Sequence, residues 1–124
     1  MKMYELSFDR FGSTDRYDIR EVRVTDINKK CITVTGGCCT RYSGEPKPFL
    51  GDEMKNITAH AADPQYCEGT CDAYLLPEYW MAEVLRTQLS VAWQARNYVN
   101  RVGLGNLPLN ILRQIVAFGK GEKA

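Results

Sequence analysis

Apolar and polar residues alternate along the first third of the chain and then, beyond Pro77, recur at the three- and four-residue spacing of a helix. Over residues 3–11, Tyr4, Leu6 and Phe8 share one side and Glu5, Ser7 and Asp9 the other, which is the period of a half-buried strand. Residues 12–15 (GSTD) predict a turn. A second strand over residues 16–25 carries Tyr17 and Ile19 in one phase and Val22 and Val24 in the other, and this slip predicts a bulge near Arg20. After a polar turn at 26–30, residues 31–35 form a short β-branched strand. Gly36-Gly37 is a hairpin signal that returns the chain antiparallel over 38–42. The alternation fits a meander with one packed face and one wetter face.

The longest stretch free of Gly and Pro runs from 78 to 102, between Pro77 and Gly103. These flanks predict one helix of about seven turns. Trp80, Val84, Val91, Ala95, Tyr98 and Val102 form one apolar stripe on it, and Met81, Leu85, Leu89, Ala92 and Val99 a second. Together they exceed the roughly 100° arc that covers a single core, so this helix requires two partners. Gln88 and Arg96 are set into or beside that arc. Residues 103–106 form a turn with Asn106 as an N-cap, and residues 107–118 a second helix with Pro108 in its first turn. The short link implies a helical hairpin.

Between sheet and helices the chain is harder to read. Residues 43–53 are punctuated by Gly44, Pro46, Pro48 and Gly51 and read as a loop. Residues 54–60 fit either a short strand or a helical turn, 61–70 read as loop, and 72–76 as a last strand. Loop of this length inside a compact domain points to a binding surface between Ser43 and Cys71. The fold expected is α+β: an antiparallel sheet of four to five strands followed by a long and a shorter helix. One domain spans 1–124, with sheet and loops over 1–76, the hairpin over 77–119 and a polar tail over 120–124.

Sixteen basic and fifteen acidic side chains leave the charge near zero. This disfavours a protein that coats nucleic acid or an anionic membrane. No run approaches the roughly 18 apolar residues of a membrane span, and the polar start lacks a signal-peptide core, so the expected compartment is the cytoplasm. The five cysteines, Cys31, Cys38, Cys39, Cys67 and Cys71, are then expected as reduced thiols. A zinc site of Cys38 or Cys39 with Cys67, Cys71 and His60 is the alternative, though C-x3-C is a loose half-site. His60, the single histidine, has no nucleophile motif around it and reads as a surface residue. No catalytic residue and no cofactor is assigned.

The candidate ligand residues lie on the helices. Tyr79, Trp80 and Tyr98 offer stacking faces, and Arg96, Arg101 and Arg113 offer guanidinium forks for phosphate. Arg41, at the end of the fourth strand, is placed to join them. Aromatic rings with arginine suit a nucleotide, whose base has a π-face and whose phosphates match the guanidinium. The wide apolar arc independently predicts a homo-oligomer, with the site between protomers.

The layout, with the phrase VRVTDINKKCITVTGG at residues 22–37, an arginine near the close of the sheet and a long-plus-short helix pair, resembles the first-described family of phage Thoeris anti-defence proteins. The resemblance implies a non-enzymatic sponge that assembles through its C-terminal helices and sequesters a cyclic ADP-ribose-type signal between protomers, in the host cytoplasm. The family's binding residues are not carried over to positions here. A protein–protein interaction module inhibiting a host enzyme, and a small zinc-stabilised domain, are the alternative readings.

Overall fold

The computed structural model describes residues 1–8, 17–49, 51–63, 65 and 72–120. Six antiparallel strands close into a barrel in chain order. They are β1 (Lys2–Phe8), β2 (Tyr17–Ile27), β3 (Cys31–Thr35), β4 (Arg41–Lys47), β5 (Ala59–Ala62) and β6 (Ala73–Leu76). Helix α1 (Tyr79–Val102), a 3-10 turn at Leu104–Asn106 and helix α2 (Leu109–Gly119) follow. The order of sheet then helices is the expected α+β order, but the sheet has six strands, not four or five, and it closes. Closure is made by β1, which pairs with β2 along its whole length and with β6 from Tyr4 to Ser7.

A closed sheet has an inside and an outside, and here both are packed. Met3, Val22, Ile32, Val34, Cys39, Tyr42, Ala73 and Leu75 fill the interior. On the outside, Leu6, Tyr17, Met54, Ile57, Ala59 and Leu76 pack with Ala82 and Leu85 of α1. Small barrels are filled by alternate side chains of their strands, so one strand serves two cores. This explains the phase change in β2. Ile19 joins the outer cluster and Val22 the inner one, while the β1–β2 register runs without interruption from Phe8↔Tyr17 to Lys2↔Arg23. The expected bulge near Arg20 is therefore absent, and the irregularity lies further on, between Val24 and Asp26 against β3.

Residues 43–62 are also more regular than their glycines and prolines suggest. β4 continues through Gly44 and Pro46, and the register against β5 shifts between Tyr42 and Pro46. Proline lacks a ladder donor and is accommodated at such irregularities. Asp52–Met54 is a 3-10 turn whose Met54 is buried, and Ala59–Ala62 is a strand. The predicted turn at 12–15, and the part of the predicted loop at 66–70, lie outside the described residues.

The chain divides into two compact units, Met1–Val91 and Ala92–Ala124. In the first, α1 presents Ala82 and Leu85, with Met81, Val84 and Leu89 beside them, to the outer cluster. Truncating a buried leucine such as Leu85 costs about 2–5 kcal/mol, which makes it a principal anchor of the helix on the barrel. In the second unit, Gly103 adopts a φ of 91°, and its amide donates to the Val99 carbonyl at 2.7 Å, ending α1. Asn106 does not cap α2 as expected. Its Nδ2 instead donates to the Val102 carbonyl at 2.8 Å, closing α1, and α2 starts from Pro108, whose carbonyl accepts from Ile111 and Leu112.

Candidate functional site

The second unit carries the feature that stands out. Among its described residues Leu107 alone is buried. Tyr98, Leu104, Leu109, Ile111, Ile115, Val116 and Phe118 are exposed, Phe118 to 64 % and Leu109 to 60 %. α2 sets apolar residues around most of its circumference because its sequence LNILRQIVAFG has few polar positions. A helix apolar all round belongs in an interior. At roughly 200 Å² for a large apolar side chain, seven such residues about half exposed present on the order of 700 Å². One partner's share of a stable protein interface is about 800 Å².

The predicted ligand residues divide between the two units. Tyr98 and Arg101 come together on the last turns of α1, with the Arg101 guanidinium 5.6 Å from the Tyr98 ring centroid. Positions three apart on a helix are neighbours, so this contact follows from the local sequence. Arg96 and Arg113 are exposed, and neither has an ion-pair partner among the described residues. In the first unit, Tyr79 meets Tyr4 edge to face at 5.5 Å and keeps about half its surface exposed. The Trp80 indole N–H donates to the Glu78 carboxylate. Arg41 opens β4 opposite Thr33 and is half-buried. Gln88, read as lying inside the apolar arc, is exposed, because the arc that α1 buries centres on Ala82 and Leu85.

Inside the barrel the structure assembles a polar cluster that the alternation conceals. Glu5 is wholly buried. Its carboxylate accepts from the Cys38 amide at 2.8 Å, from the Cys39 amide at 3.2 Å and from the Tyr42 hydroxyl. The alternation alone puts Glu5 on the wet face of a half-buried strand; barrel closure turns that face inward. The signal that could have exposed it is Gly37. A Cβ there would lie 2.3 Å from a Glu5 carboxylate oxygen, so the turn needs glycine to bring two amides onto the acid. With three donors supplied, the carboxylate is anchored as a structural post.

The cysteine and histidine expectations need correction. Cys39 is disulfide-bonded, with its partner outside the described residues, so the thiols are not all reduced. Cys31 and Cys38 are free. Cys38 Sγ lies 3.8 Å from Ser7 Oγ and 3.9 Å from an Arg20 guanidinium nitrogen. His60 is not a surface residue: it is buried in β5, and its Nδ1 is 3.0 Å from the Ser43 carbonyl. Burial lowers its pKa, partly opposed by that backbone contact. No group of three metal-ligating side chains occurs among the described residues, and Cys67 and Cys71 of the zinc alternative lie outside them. Among the described residues no helix is long and apolar enough to cross a membrane.

No protein-family model, no curated protein and no solved structure matches the chain.

Proposed function

We propose that this protein is a non-enzymatic binding protein that self-associates through its helical unit and holds a small phosphorylated, nucleotide-like ligand at the protomer interfaces. The observation that carries the reading is the uncovered apolar surface of α2 and the end of α1. A unit of this size with one buried side chain has too little core of its own, and a second copy offers the same apolar surface in return. The area available matches what one partner of a standard interface contributes. Pairing like with like across a symmetry axis accounts for a face that bears few charges.

Tyr98 with Arg101 supplies an aromatic face and a guanidinium on that unit, and Arg96 and Arg113 are further exposed cations of the same unit. Phosphate is matched by the guanidinium fork and a base by the ring. Binding of this kind returns the ligand unchanged on release. In the setting that the resemblance to the anti-defence sponges implies, the role is sequestration of a cyclic ADP-ribose-type immune signal.

The test uses cyclic ADP-ribose as the probe. Protein incubated with it is desalted, heat-denatured, and the released small molecules are identified by mass spectrometry. Recovery of intact probe in proportion to protein, reduced at least tenfold in Arg101→Gln, supports the reading. Chemically altered probe, or none retained, overturns it.

A further inference from the structure

Away from the helical unit, the barrel carries an open depression of about 670 Å³, lined by Lys2, Glu21, Arg23, Thr35 and Gly36 among others. Three of these residues form one row across three strands. Lys2 of β1 stands directly opposite Arg23 of β2, and Arg23 directly opposite Thr35 of β3. Two cations face to face in a ladder repel and destabilise the pair unless something neutralises them. Glu21 partly does so for Lys2, with Nζ 3.1 Å from its carboxylate, but both side chains are more than half exposed, so this pair is weak and free to rearrange. Arg23 has no ion-pair partner among the described residues.

Next to the row, Gly36 takes a φ of 94° and presents bare backbone, with no heavy atom within 4 Å of where a Cβ would stand. Open space, a hydroxyl, a guanidinium and an ammonium therefore meet at one edge of the depression. Arginine offers a planar fork that matches phosphate oxygens, and lysine a movable point charge. The depression, about 670 Å³ and open to solvent, has room for more than a lone phosphate.

We propose that this depression is a binding site for a phosphate group, with Arg23 and Lys2 as its charged contacts and Thr35 as a hydroxyl donor. The phosphate neutralises the opposed cations, and Glu21 is the group that works against it. The site belongs to the barrel unit and does not rest on the reading of the helical unit. The phosphate arrives either as the free ion or on a nucleotide, whose remaining atoms have space in the depression.

The test is an amide-resolved NMR titration of the isotope-labelled full chain at constant ionic strength, with inorganic phosphate in one arm and adenosine 5′-monophosphate in the other. Saturable shifts centred on Arg23, Thr35 and Gly36 are expected, weakened about tenfold or more in Arg23→Gln and unchanged in the charge-matched control Lys29→Gln. Glu21→Gln is expected to tighten binding, a gain that misfolding cannot imitate. Tighter binding in the nucleotide arm assigns the site to nucleotides, and equal affinity assigns it to the free ion. Absence of saturable shifts at these amides in both arms, or binding indifferent to Arg23→Gln and Glu21→Gln, overturns the proposal.

Discussion

Tyr42 donates its phenolic hydrogen to Glu5 inside the barrel, where both side chains are wholly buried. The contact joins β1 to β4, strands that do not pair with each other. Tyr42→Phe keeps the ring and removes one of the three donors on a buried carboxylate. Loss of a hydrogen bond to a charged group costs about 1.5–3 kcal/mol, so the urea midpoint falls while the barrel still forms. A midpoint unchanged from the wild type would show that the remaining amide donors suffice.

Gly37→Ala tests the same post from the other side. Its Cβ would lie 2.3 Å from a Glu5 oxygen, so the acid or the turn must move. Overpacking of a filled site costs about 1–3 kcal/mol, and the double variant Gly37→Ala with Glu5→Gln is expected to be non-additive because the two residues meet. Urea unfolding of the two single variants and the double variant measures the coupling.

The disulfide at Cys39 is anchored in that turn, since the Cys39 amide is one of the donors to Glu5. Removing a native disulfide typically costs about 2–4 kcal/mol. Reduction with dithiothreitol, or Cys39→Ser, is expected to lower the melting temperature. Cys31→Ser, at a free thiol, leaves it close to the wild-type value.

His60 makes stability depend on pH. Burial holds its pKa in the folded protein below the ordinary 6.5, so between those two values the unfolded chain binds more protons than the folded one. Stability therefore rises with pH across that window and is lost as pH falls through it. Unfolding midpoints measured from pH 5 to 7.5 should slope upward in the wild type and flatten in His60→Gln.

The sequence shows the order of elements plainly because period two and period 3.6 are local properties of the chain. β3 is predicted with its observed ends, and α1 and α2 to within two residues. Closure is not local. Whether β1 finds β6 depends on contacts between residues some seventy apart, and without it Glu5 reads as solvent-facing and the phase change at Val22 reads as a bulge. From sequence β4 stops at Tyr42, because Gly44 and Pro46 are turn residues wherever a register shift does not accommodate them. His60 reads as a surface residue for a related reason: its burial comes from strands that pair only once the barrel exists. Of the candidate ligand residues, Tyr98 and Arg101 are read separately from the sequence, and the structure brings them together at helical spacing. The Lys2–Arg23–Thr35 row is not legible in the sequence, since it lies across three strands.

Self-association through the exposed apolar face is open to native mass spectrometry of the purified protein. The chain mass is 14.1 kDa. The wild type is expected at two or more times that mass, and Ile115→Glu, which puts a charge on the exposed apolar surface of α2, at the mass of one chain. A wild-type species at the mass of one chain, or an assembly that survives Ile115→Glu and Val116→Glu together, would contradict it.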